Sequence, residues 1–211
     1  MYNGNDQPIF QGFPKIARLS RDIVITEKID GTNAAIYVSD EGTDLQAASR
    51  TRLITPANDN YGFAKWVEAN KSDLLTLGPG IHYGEWWGAG IQRGYGLKEK
   101  RFSLFNTSRW LEMRPACCDV VPVLYWGPFN MTKITECLED LATYGSQAAP
   151  FDKPEGIVIF HTASGTMFKK TLEGDEAPKS LQALPERLSN MELCPVPDNA
   201  ISHTKSWRAW E

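Results

Sequence analysis

Glu27-Lys28-Ile29-Asp30-Gly31-Thr32-Asn33 directly follows the β-branched run Ile23-Val24-Ile25-Thr26. The run reads as a buried strand, and Gly31, free to take a positive φ, reads as the turn that ends it. Lys28 then stands at a strand rim beside the Asp30 carboxylate, which is how a lysine nucleophile is presented. Taken alone, Lys-x-Asp-Gly fits a solvated lysine before an Asp-Gly hairpin turn better. The rest of the chain has to separate the two.

Further strands are expected at Ala34 to Val38, Gln46 to Ser49, Ile81 to Trp86, Phe102 to Phe105, Val120 to Tyr125, Ile157 to His161 and Met167 to Leu172. Ser164-Gly165 makes a hairpin of the last pair. Phe63, Trp66, Val67, Leu74 and Leu77 fit one helical face after Asn58-Asp59-Asn60; Ile134, Cys137, Leu138 and Leu141 fit another that Gly145 stops. The pattern predicts an α+β fold of mainly antiparallel sheets with flanking helices. One domain is expected over residues 1–211, with a short helix and tail over 178–211.

With 211 residues, 42% of them hydrophobic, the chain can bury one sizeable core. A net charge of −4 excludes indiscriminate polyanion binding, yet leaves room for a local basic face at Arg93, Lys98, Lys100 and Arg101. No apolar run approaches the roughly 18 residues of a membrane span, so a soluble, cytoplasmic protein is expected. Cys117, Cys118, Cys137 and Cys194 lack zinc-site spacing and read as free thiols. His82, His161 and His203 are too scattered for a ligand pair. Gly88 to Gly96 lacks the Lys-Ser or Lys-Thr of a Walker loop and reads as a mobile glycine loop over a pocket.

In chain order come Ser49-Arg50-Thr51-Arg52, His82-Tyr83-Gly84-Glu85-Trp86-Trp87-Gly88, Arg101-Phe102-Ser103-Leu104-Phe105-Asn106, Lys153-Pro154-Glu155-Gly156-Ile157-Val158-Ile159 and Phe168-Lys169-Lys170-Thr171. Each places polar residues at a strand end. Together with the Lys28 stretch, this order resembles the covalent nucleotidyltransferase superfamily of DNA ligases, RNA ligases and mRNA capping enzymes, over roughly residues 15–180. Glu27 before the lysine and Thr32-Asn33 after the glycine resemble the ATP-dependent, nick-sealing phage RNA ligases. DNA ligases and capping enzymes usually carry arginine where Asn33 stands.

The resemblance implies a nucleotidyltransferase (ATP-grasp-like) domain in which Lys28 takes AMP from ATP and Asp30, Gly31 and Asn33 complete the first motif. It gives Glu27 the adenine edge, Arg50 a phosphate, Glu85 the ribose or a metal, Phe105 stacking on adenine, and Glu155 the metal. Lys169 matches the lysine of the last motif. Lys169 and Lys170 point to opposite faces of a strand, and Lys169 is preferred for the pocket because Phe168 would pack on the other face with Lys170. The charges argue independently for a metal: carboxylates hold a proton on a neighbouring amine, and a divalent cation, Mg²⁺ or Mn²⁺, reverses that field.

The expected activity is ATP-dependent joining of 5′-phosphate and 3′-hydroxyl RNA ends, with DNA or RNA–DNA hybrid ends as the alternative polynucleotide. Runner-up readings are a DNA ligase, a capping-type guanylyltransferase, or a nucleotide- or RNA-binding module without catalysis. The stretch after Lys170 is too short for a second core. Polynucleotide contacts would then fall to the Arg93 to Arg101 face, to a protein partner or to a second copy of the chain.

Overall fold

The computed structural model describes residues 12–174; the expected C-terminal helix and tail, and Cys194, lie outside them. Ten strands form two sheets. The first has four strands, β1 (Asp22–Lys28), β8 (Val123–Pro128), β9 (Gly156–His161) and β10 (Thr166–Thr171), in the order β10-β9-β1-β8. The second has six, β2 (Thr32–Val38), β3 (Leu45–Ser49), β4 (Leu53–Ile54), β5 (Gly80–Gly88), β6 (Lys100–Leu104) and β7 (Asp119–Val120), in the order β4-β3-β2-β5-β6-β7. All pairs are antiparallel except β6 with β7.

Side-chain alternation gives each sheet one apolar face. Ile23, Ile25, Ile157 and Ile159 pack against Ile134, Cys137 and Leu141 of helix α4 (Met131–Tyr144). The Asn130 carboxamide accepts the Thr132 and Lys133 amides at the start of α4, and Gly145, at φ 82°, ends it. In the six-stranded sheet, Ala34, Ile36, Trp86, Phe102 and Leu104 pack against Phe63 and Val67 of α1 (Phe63–Ala69). The Asp59 carboxylate accepts the Ala64 and Lys65 amides of that helix. Two short helices, α2 (Lys71–Leu74) and α3 (Thr107–Trp110), complete the described fold.

Two expectations are corrected. Val120 to Tyr125 is not one strand: Pro122 has no amide to donate, and on either side of it β7 and β8 join different sheets. Asp30-Gly31 is not a hairpin turn, since β1 and β2 also belong to different sheets, and Gly31 does not take a positive φ. Glycine is required there by crowding, because a Cβ would lie 2.5 Å from the Trp86 carbonyl oxygen. The Ser164-Gly165 hairpin is present, with Gly165 at φ 66°.

Candidate active site

Lys28 ends β1, and its Nζ donates to Glu155 Oε2 at 2.5 Å. Glu155 lies just before β9, opposite the end of β1, because Lys28 pairs with Gly156. Gly156 tolerates no Cβ at this crossing; one would lie 2.3 Å from the Lys170 carbonyl oxygen. The sheet register thus fixes the lysine and its carboxylate partner together.

From the other sheet, Glu85 on β5 reaches the same place. It accepts the Gly31 amide at 3.1 Å and the Asn33 side-chain amide at 3.0 Å. Burial is the main reason its carboxyl is pushed up to about 7; Lys28 and the two donors pull it down, and Glu155 pushes it further up. Among the described residues no group of three or more His, Cys, Asp or Glu forms a ready metal cage. Glu155 and Glu85 are instead a two-carboxylate set around one lysine. Such sets hold Mg²⁺ together with phosphate oxygens and water.

Asp30 is held from two directions. Arg93 Nε donates to its carboxylate at 2.9 Å, and its amide donates to the Tyr95 hydroxyl at 2.9 Å. The same guanidinium donates to the carbonyls of Lys153 and Pro154, immediately before Glu155. The glycine loop that carries these residues is therefore not the mobile cover expected. Ile91 and Tyr95 are buried, and Tyr95 packs between Trp87 and Phe151.

Glu27, to which the resemblance gives the adenine edge, is engaged within the protein. Side chains alternate along β1, so its carboxylate lies on the face opposite Lys28. There it accepts from Ser146 Oγ at 2.6 Å, Gln147 N at 2.8 Å and Ala148 N at 3.1 Å. Burial raises its proton affinity and these donors lower it. Glu27 thus anchors the loop after α4.

The register puts Lys169 opposite Val158, which itself faces Thr26, so Lys169 shares the sheet face of Lys28. Lys170 stands opposite Ile157, on the α4 side. Asn33, Glu85 and Ser103 form one cross-strand row of the six-stranded sheet. Phe105, 39% exposed, follows β6 and donates its amide to the Tyr83 carbonyl. Arg50 is exposed, one residue past the Ala34–Ser49 pair.

The expected basic face is partly engaged within the protein. Arg93 is turned in to Asp30, Arg101 pairs with Glu99 and Lys100 donates to the Tyr61 carbonyl, which leaves Lys98 exposed on the surface. The sequence reading missed the roles of Arg93, Tyr95 and Ser146.

The fold recurs in solved RNA ligase structures from Naegleria gruberi. A lysine-to-methionine mutant with AMP and Mn is 18% identical, with a TM-score of 0.52, over 72% of this chain and 50% of that one. An arginine mutant with ATP and Mn is 20% identical, with a TM-score of 0.53, over 74% and 51%. The chain thus spans about half the length of these relatives. No curated protein matches it. The RNA ligase family model matches residues 21–171, well over half of the chain, and the protein belongs to the RNA ligase family.

Proposed function

We propose that this chain is an ATP-dependent RNA ligase that joins 5′-phosphate and 3′-hydroxyl ends through an AMP adduct on Lys28. The observation that carries the reading is the convergence on one lysine of Glu155 and Glu85, one from each sheet. The ATP and Mn named with the Naegleria relatives support nucleotide and metal use.

Lys28 Nζ, once deprotonated, attacks the α-phosphorus of ATP; the N–P bond forms, the P–O bond to the β-phosphate breaks, and pyrophosphate leaves. Glu155 and Glu85 would hold Mg²⁺ or Mn²⁺, which would supply charge neutralisation at the phosphates, and Glu155 engaged in this way would release the Lys28 amine from a partner that favours its protonated form. Lys169 adds a cation on the same face. A 5′-phosphate oxygen of the RNA then attacks the phosphorus, the N–P bond breaks, and Lys28 recovers its electron pair. Finally the 3′-hydroxyl attacks the activated 5′-phosphate, loses its proton, and AMP leaves.

Asp30 and Asn33 brace the nucleophile turn, while Phe105, Arg50 and Gly31 remain assigned to adenine, phosphate and the close approach of the backbone. The adenylation residues belong to one nucleotidyltransferase domain in this reading. Chemically pre-adenylated RNA separates the steps. Lys28→Ala should seal that substrate without ATP, and should fail on 5′-phosphate RNA with ATP. Equal sealing of both substrates by the variant would rule the reading out.

A further inference from the structure

One cross-strand row of the four-stranded sheet is apolar and open. Trp126 stands opposite Val24, Val24 opposite Phe160, and Phe160 opposite Met167, so the row crosses all four strands. Directly opposed residues share a face, as do alternate residues along β1. The row therefore lies on the face of Lys28, away from the isoleucines that pack on α4. Val24 is buried at its centre, while Trp126 is 53%, Phe160 37% and Met167 69% exposed. Between it and Lys28 runs a single row, Val123, Thr26, Val158 and Lys169. At two residues per row, the open row lies about 13 Å along the sheet from the nucleophile.

Arg93, Lys100 and Arg101, the basic residues nearest the glycine loop, are already engaged within the protein. A contact that does not depend on phosphate neutralisation would add to the affinity for a polynucleotide end presented to Lys28. Flat aromatic side chains on an open sheet face supply one by stacking on bases. Bases offer their faces in this way only when unpaired.

Resting on the ligase reading, we propose that Trp126, Phe160 and Met167 form a stacking platform for unpaired bases beside the RNA end. The substrate class that fits is single-stranded RNA, rather than a nick held in a duplex. Lys169, between platform and nucleophile, meets the phosphate between the stacked bases and the reacting end.

The test measures binding of the full chain to a 5′-phosphorylated single-stranded RNA and to a nicked duplex, with AMP transfer to Lys28 recorded in parallel. The Trp126→Ala/Phe160→Ala double variant should bind the single strand about tenfold or more weakly, with AMP transfer unchanged. Trp126→Phe, which keeps an aromatic face, should retain most of the affinity. Tighter binding of the nicked duplex than of the single strand, or unchanged single-strand binding by the double variant, would overturn the proposal. So would Trp126 emission, isolated by difference from Trp126→Phe, that is already shielded from acrylamide without RNA and unmoved by it, since the row would then be covered before RNA arrives. Absence of AMP transfer in the wild type would instead count against the ligase reading, while leaving the stacking measurement interpretable.

Discussion

Arg93 Nε lies 2.9 Å from Asp30 Oδ2, and the same guanidinium caps the carbonyls of Lys153 and Pro154. One side chain thus ties the turn after Lys28 to the segment that delivers Glu155. A planar fork can serve acceptors in several directions, which a single ammonium cannot. Arg93→Lys should therefore behave like Arg93→Ala, slowing AMP transfer at least tenfold. The loss should lie mainly in the rate at saturating ATP and cation, with the melting temperature only slightly lowered. Recovery by lysine would show that charge alone matters there.

Glu27 can be tested as a structural anchor against the adenine role that the resemblance implies. Glu27→Ala would remove the acceptor that the Ser146 hydroxyl and the Gln147 and Ala148 amides share, a loss of about 1–3 kcal/mol in total. A clear fall in thermal stability is expected, the same with and without ATP present. A variant of normal stability that needs far more ATP would return Glu27 to the nucleotide.

Gly31→Ala places a Cβ against the Trp86 carbonyl and the Trp87 side chain. Overpacking of this kind costs about 1–3 kcal/mol, and here the backbone must move at the turn beside Lys28. Both stability and AMP transfer should drop. An alanine variant with wild-type melting and activity would contradict the crowding explanation.

His82 sets an acid limit on stability. It is 4% exposed and its Nε2 donates to the Gly78 carbonyl at 2.8 Å. Burial is the main cause that lowers its proton affinity below the ordinary 6.5, and the Arg109 charge lowers it further. The unfolded chain therefore takes up the proton first, and stability falls as pH drops below about 6.5. His82→Gln should flatten this part of the melting profile between pH 7.5 and 5. An unchanged acid limb in the variant would assign it to other groups.

The β-branched run before Lys28, the Ser164-Gly165 hairpin and the Lys169 parity were legible because they depend on local alternation and turn chemistry. Which face Glu27 uses also follows from alternation. The division at Pro122 and the crowding at Gly31 depend on which sheet each strand joins. Arg93 stands 63 positions from Asp30, and nothing in its neighbourhood distinguishes an inward guanidinium from a solvated one.

The central claim is that Lys28 carries AMP. After incubation of the protein with ATP and Mg²⁺, intact-mass spectrometry should show one added AMP, and fragmentation should place it on Lys28. Lys28→Arg keeps a cation that stays protonated and cannot attack, so its spectrum should show no adduct while circular dichroism reports an unchanged fold. An adduct that persists in Lys28→Arg, or that maps to another residue in the wild type, would contradict the account.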